Sequence, residues 1–171
     1  MLGSVKRGSP PRNRKTKMAD EKKSFGSWCP TEATSFIEKW EGRRLEAYQC
    51  AAGIWTIGVG HTGAVKAGDT CTNEQADEWL IDDIERQIVY MRPYVNVPVT
   101  RGQFVALASL AFNVGGPYVV HNCPKLLRAL NAEDYDACAH EFLDVTKAGG
   151  RELDGLVRRR KAEAALFLGE E

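Results

Sequence analysis

At 171 residues and 43% hydrophobic content, the chain has the material for one ordinary domain, or for two small lobes sharing a helix. A chain of this size buries roughly 70% of its unfolded surface. Its 23 basic side chains balance 23 acidic ones, so no global field favours nucleic acid or another polyanion. Five cysteines (Cys29, Cys50, Cys71, Cys123 and Cys138) are odd in number and irregular in spacing, which argues against a disulfide framework and against a CxxC metal centre.

No run of about 18 apolar residues marks a membrane helix, and the start of the chain lacks the apolar core of a signal peptide. The expectation is a chain made in a reducing compartment that does not export itself. Residues 1–27 read as a basic, disordered arm: Lys6, Arg7, Arg12, Arg14, Lys15, Lys17, Lys22 and Lys23 outnumber Asp20 and Glu21 among Gly, Ser, Pro and Asn. Met18 is a plausible start of translation within it. A tether to phosphate or anionic lipid is the functional alternative for this arm.

From residue 28 the pattern becomes regular. Phe36, Ile37 and Trp40 recur at helical spacing behind Thr31, which predicts a helix ending near Glu41 and Gly42. Residues 44–63, rich in Gly, aromatic and β-branched types, predict a hairpin or three-strand sheet closed by turns at Gly63, Gly68 and Asp69. Thr72 opens a long helix with Ala76, Trp79, Leu80, Ile84, Ile88 and Met91 on one face. Pro93 and Pro98 end it, and Thr100 starts an almost wholly apolar helix through Phe112, stopped by Asn-Val-Gly-Gly-Pro at 113–117. Further helices are expected at 124–130, 133–143 and 151–168. The predicted class is α+β, mainly α, with a small lobe at 28–71, a linking helix at 72–92 and a helical lobe at 93–171.

One segment carries chemistry. From Trp40 to Thr62 the chain reads Trp-Glu-Gly-Arg-Arg-Leu-Glu-Ala-Tyr-Gln-Cys-Ala-Ala-Gly-Ile-Trp-Thr-Ile-Gly-Val-Gly-His-Thr. Glu41 ends a helix, and Cys50 and Thr56 flank the turn at Gly53, so a carboxylic acid, a thiol and a hydroxyl can share one cleft. Glycan-cleaving chemistry would ordinarily place a second carboxylate where Cys50 stands.

With Ser-Leu-Ala-Phe-Asn-Val-Gly at 109–115 and Gly-Leu-Val-Arg-Arg-Arg at 155–160, this segment resembles phage-type lysozymes, glycoside hydrolase family 24, which includes T-even and lambdoid phage endolysins. The resemblance spans roughly residues 31–168 and implies a lysozyme-like fold. It implies Glu41 as general acid, Cys50 at the position that holds or activates water, and Thr56 as its helper, with inversion at the anomeric carbon. It further implies contact with glycan at Phe112 and Asn113, more weakly at His61, and an arginine of 158–160 approaching Glu41. The implied substrate is the peptidoglycan glycan strand, cut between N-acetylmuramic acid and N-acetylglucosamine by a monomer that uses no metal or cofactor. Such an enzyme would wait in the host cytoplasm and need a holin lesion to reach the wall. No specific nucleic-acid partner is implied.

Elementary energetics frame the three groups. Keeping Glu41 protonated at pH 7 from an ordinary pKa costs about 3.7 kcal/mol unless burial helps, and ionising an ordinary thiol there costs about 2 kcal/mol. Cys50 can therefore orient water with Thr56, ionise and act as base, or attack carbon and turn inversion into retention; a small packed Cys without chemistry is the bland reading. His61, lacking Cys or His neighbours, reads more simply as a hydrogen-bonded packing residue. Cys123-Pro124 departs from the Ser-Thr pair many members carry, removing a hydroxyl and a backbone donor from an expected cleft wall. A catalytically silent, glycan-binding or virion-associated module is the competing function.

Overall fold

Thr72 and Thr100 begin their helices in the same way. Each hydroxyl accepts from the backbone N–H three residues on (Gln75, Gln103), and each of those glutamines returns its side-chain oxygen to the threonine N–H. These reciprocal caps satisfy two otherwise orphaned donors in each helix and fix where the junction helix and the core helix start. The computed structural model describes residues 21–50 and 52–170.

In chain order, α1 (Thr31–Glu41) leads into an antiparallel pair, β1 (Arg44–Gln49) and β2 (Trp55–Gly58). The long α2 (Asn73–Met91) follows, then α3 (Arg101–Val114), α4 (Gly116–Asn122), α5 (Pro124–Asn131) and α6 (Tyr135–Phe142). A minimal hairpin, β3 (Lys147–Ala148) and β4 (Arg151–Glu152), precedes α7 (Asp154–Leu168). The class is α+β, mainly α, as expected. Of the two expected forms the small sheet takes the two-strand hairpin, flanked by single bridges at Glu46–Thr70 and Ile57–His61.

α3 is the axis of the helical lobe. Every residue from 103 to 111 is buried, and α1, α2 and α7 pack around it. Burying that many aliphatic and aromatic side chains, at about 1.5–3 kcal/mol for each large one, makes this helix the main source of cohesion. Among the described residues no single helix is long and apolar enough to cross a membrane.

Several sequence expectations need correction. Residues 21–27, expected to be part of the arm, are anchored at two points: Lys23 exchanges two backbone hydrogen bonds with Val99, and Phe25 is buried against Phe104. One aromatic ring at the edge of a basic stretch supplies the burial that average composition conceals. The rest of the predicted arm, 1–20, lies outside the described residues. Asn-Val-Gly-Gly-Pro stops α3 at Val114 as expected, but an unexpected helix follows at once: Gly115, at φ +96°, separates the two, and Pro117 sits in the first turn of α4, where its missing N–H costs nothing. α7 starts at Asp154 rather than 151, because Gly149 and Gly150, both at positive φ, turn the chain into the β3–β4 hairpin first.

Candidate active site

Glu41 is the last residue of α1. Gly42, at φ +71°, ends the helix and donates its N–H to the Glu38 carbonyl, so the chain turns away while the Glu41 side chain stays at the helix end. The carboxyl lies in a cleft of about 440 Å³ lined by Trp40, Asn113, Leu153, Leu156, Arg158 and Arg159. Its two oxygens are differentiated. Arg159 donates from Nη1 to Oε1 at 2.5 Å, whereas Oε2 faces the backbone of Gly60, where a Cβ would come within 3.4 Å of it. That same Cβ would meet the Phe112 ring at 3.3 Å, a tight contact, and the backbone here is at φ +76°, a conformation that favours glycine between acid and ring.

Behind Arg159 stands a buried polar network. Ser109 Oγ donates to Glu163 Oε1 at 2.6 Å, Arg159 Nε reaches the same oxygen at 3.2 Å, and Arg159 Nη2 donates to the Ser109 carbonyl at 3.3 Å. Arg160, fully buried, donates to Asn113 Oδ1 at 2.6 Å and lies 3.0 Å from Glu163 Oε2. Burial pushes the Glu163 carboxyl up and the Arg160 guanidinium down from their ordinary values, each opposed by attraction to the other. Breaking such a set by removing one partner is costly, about 3–5 kcal/mol, because a charge is left unpaired. The sequence signal was Ser109, a hydroxyl in the middle of an otherwise apolar helix.

Cys50 and Thr56 belong to the hairpin. β1 and β2 pair with Tyr48 opposite Thr56 and Gln49 opposite Trp55, and the link turns at Gly53, φ +75°. The Cys50 N–H donates to the Ile54 carbonyl at 3.0 Å, and Gly53 N–H returns to the Cys50 carbonyl at 2.8 Å. Backbone N–H groups of Ile54 and Ala52, with the Thr56 hydroxyl, surround the half-buried sulfur and hold its pKa below the ordinary thiol value. Thr56 is buried, and its hydroxyl donates its one proton to the Ile54 carbonyl at 3.1 Å. Among the described residues no hydrogen bond joins Glu41 to this pair; Gly60, which follows β2, is the link between the hairpin and the acid.

The remaining sequence candidates separate. Phe112 lies beside the acid. Asn113 lines the cleft but spends its carbonyl oxygen on Arg160. His61 is engaged within the protein through both nitrogens, Nδ1 with Asp83 at 2.7 Å and Nε2 with the Gly63 carbonyl at 3.2 Å, and its ring stacks on Trp79. Of the arginine run, Arg159 is the residue that approaches Glu41. Cys123 is buried in a separate pocket with Tyr118 and Glu141, away from the residues that line the Glu41 cleft. Among the described residues no group of three or more His, Cys, Asp or Glu is placed to hold a metal ion.

A small β-bearing lobe, a long junction helix and a helical lobe, with a carboxylic acid ending the first helix in a cleft, define a lysozyme-like glycosidase. Residues 38–163 match the phage lysozyme family model. The chain is 43% identical over 135 residues to an endolysin of Acyrthosiphon pisum secondary endosymbiont phage 1, covering 77% of this chain and 91% of that one. It is 40% identical over 137 residues to the endolysin of Salmonella phage P22, covering 77% and 92%. The solved endolysin of Escherichia coli O157:H7 phage FAHEc1 superposes with a TM-score of 0.76 at 30% identity, over 84% of this chain and 95% of that one. The chain belongs to the phage lysozyme family. It is a glycoside hydrolase of the endolysin kind, an enzyme of peptidoglycan breakdown and host lysis.

Proposed function

We propose that the protein hydrolyses the β-1,4 bond between N-acetylmuramic acid and N-acetylglucosamine with inversion, Glu41 acting as general acid and Cys50 with Thr56 handling the water. The division between the two Glu41 oxygens carries this reading. Oε1 accepts from Arg159, which leaves Oε2, the oxygen beside Gly60 and Phe112, as the one free to carry a proton to the substrate. Glu41 gives that proton to the leaving glycosidic oxygen as the C–O bond breaks. Water adds to the anomeric carbon from the opposite face, oriented by the Thr56 hydroxyl and the sulfur of Cys50, and gives up a proton to the thiolate. Proton exchange with solvent restores both groups. The N–H groups around the sulfur supply part of the stabilisation that a carboxylate would have at this position.

Phe112 presents a ring edge to the sugar beside the acid, and Asn113 shapes the cleft floor; the internal bonds of His61 give it a positioning role at the lobe junction instead. In this reading the enzyme is monomeric, accumulates in the host cytoplasm and meets the wall after a holin lesion; fractionation before and after lysis tests it.

The decisive experiment is turbidity clearing of purified peptidoglycan, with the released anomer followed by proton NMR. Glu41→Gln is expected to lose at least a hundredfold in rate, while wild type releases the inverted anomer. Retention would overturn water handling by Cys50 in favour of attack by sulfur. A wild-type protein as inactive as Glu41→Gln would favour the silent glycan-binding module.

A further inference from the structure

Three arginines stand in a row at 158–160, and the fold gives each a different environment. Arg159 is committed to Glu41, Ser109 and Glu163, and Arg160 is buried against Asn113 and Glu163. Arg158 is exposed, and its guanidinium makes no hydrogen bond or ion pair with the described residues. It nevertheless lines the same cleft as Glu41, together with Trp40, Leu153 and Leu156.

Arg44, Arg128 and Arg151 also form no ion pair among the described residues, but none of them lines this cleft, and the remaining arginines are paired. Arg43 is paired with Glu38 and Asp77, Arg86 with Asp83, Arg92 with Glu85, and Arg101 with Glu32. The one protein carboxylate lining the cleft is Glu41, and Arg159 already holds it. The cleft thus presents a positive fork with no protein anion to match it. A neutral amino-sugar polymer offers such a group only hydroxyl and acetamide oxygens. A strand bearing lactyl ethers offers carboxylates, either on the lactyl group itself or on a peptide attached to it. The planar guanidinium suits a carboxylate through two parallel N–H donors.

We propose that Arg158 binds a carboxylate of the peptidoglycan strand in the Glu41 cleft and so distinguishes peptidoglycan from neutral N-acetylglucosamine polymers. The inference rests on the muramidase reading and adds a specificity residue to it. Because Arg158 is solvent-exposed, its contribution is one of affinity rather than of rate.

The test measures KM and kcat for Arg158→Ala, Arg158→Lys and, as a control for charge alone, Arg128→Ala on the exposed surface of α5. Three substrates separate the sources of carboxylate: strands with intact peptide stems, strands stripped by an amidase to leave free lactyl groups, and N-acetylglucosamine hexamer, whose binding is followed by calorimetry. Arg158→Ala is expected to raise KM about five- to tenfold on the strand bearing the recognised carboxylate, with kcat unchanged and hexamer binding unchanged. Arg158→Lys should recover part of the loss. An effect confined to intact strands identifies a stem carboxylate; one confined to stripped strands identifies the lactyl group. Wild-type KM in Arg158→Ala on both strands overturns the proposal. So does equal weakening by Arg128→Ala, which would mean general attraction, or equal weakening on the hexamer. Thermal unfolding of each variant establishes that it is folded. Failure of wild type to hydrolyse any strand overturns the muramidase reading, and this inference with it.

Discussion

A sulfur between a glutamic acid and a threonine changes what the site asks of its backbone. A carboxylate at position 50 would be anionic without assistance, whereas a thiol needs donors, and the turn at 50–54 supplies them from Ile54 and Ala52 with the Thr56 hydroxyl beside them. The thiolate of Cys50 is therefore expected at lower pH than that of an ordinary cysteine. Its rate of alkylation by iodoacetamide, followed by peptide mass spectrometry against pH, should reach half-maximum at a lower pH than that of an unstructured cysteine peptide. Loss of activity should track modification of this residue. A half-maximum at or above that of the peptide, or full activity after complete alkylation, would remove the sulfur from the chemistry. The three proposed site residues could be picked out together because they fall in one continuous segment. Arg159 was legible only as one of three: α7 turns each member of the run in a different direction, and the acid that selects among them lies 118 residues earlier.

Helices in this chain are announced chiefly by their caps and apolar spacing, and where both agree the expected boundary is good. Thr72 and Thr100 are such cases. Thr100→Ala should cost about 1 kcal/mol in urea unfolding, since it strips the acceptor for the Gln103 N–H from the core helix; an unchanged midpoint would show that α3 is held by packing alone. α4 was missed because Gly and Pro were read as punctuation. Their meaning depends on position: Gly115 breaks the helical run, Gly116 approaches the Gln87 carbonyl so closely that a Cβ would lie 2.6 Å from it, and Pro117 fits the first turn. The close approach of α4 to α2 is a tertiary fact with no local mark. The β3–β4 hairpin was missed for a related reason, since two-residue strands carry no alternation to detect.

Across the whole molecule the cysteines divide by environment. Cys29 is exposed, Cys50 and Cys71 are half-buried, and Cys123 and Cys138 are buried, all five as free thiols. Burial pushes the Cys138 thiol up from 9.0 to about 12. A thiol raised in the folded state contributes stability that is fully present below the unfolded value and is lost as pH rises through the folded one. The fold should therefore weaken between pH 9 and about 12, by up to about 4 kcal/mol from this group. Urea unfolding across that range, compared with Cys138→Ala, isolates the contribution; parallel pH dependence in the two proteins would show that Cys138 is not its source.

The sequence by itself determined the class, the family resemblance and most helices, and it put forward the acid–thiol–hydroxyl set as the proposed site, because periodicity, caps and a contiguous motif are local properties. Tertiary structure alone decided which arginine meets Glu41, that Ser109 and Glu163 stand behind it, that His61 is spent on Asp83 and Gly63, and that Phe25 pins the chain ahead of α1. Each of these is a pairing between residues far apart in sequence or between elements packed in space, and its energy comes from burial and charge that exist only once the lobes are assembled.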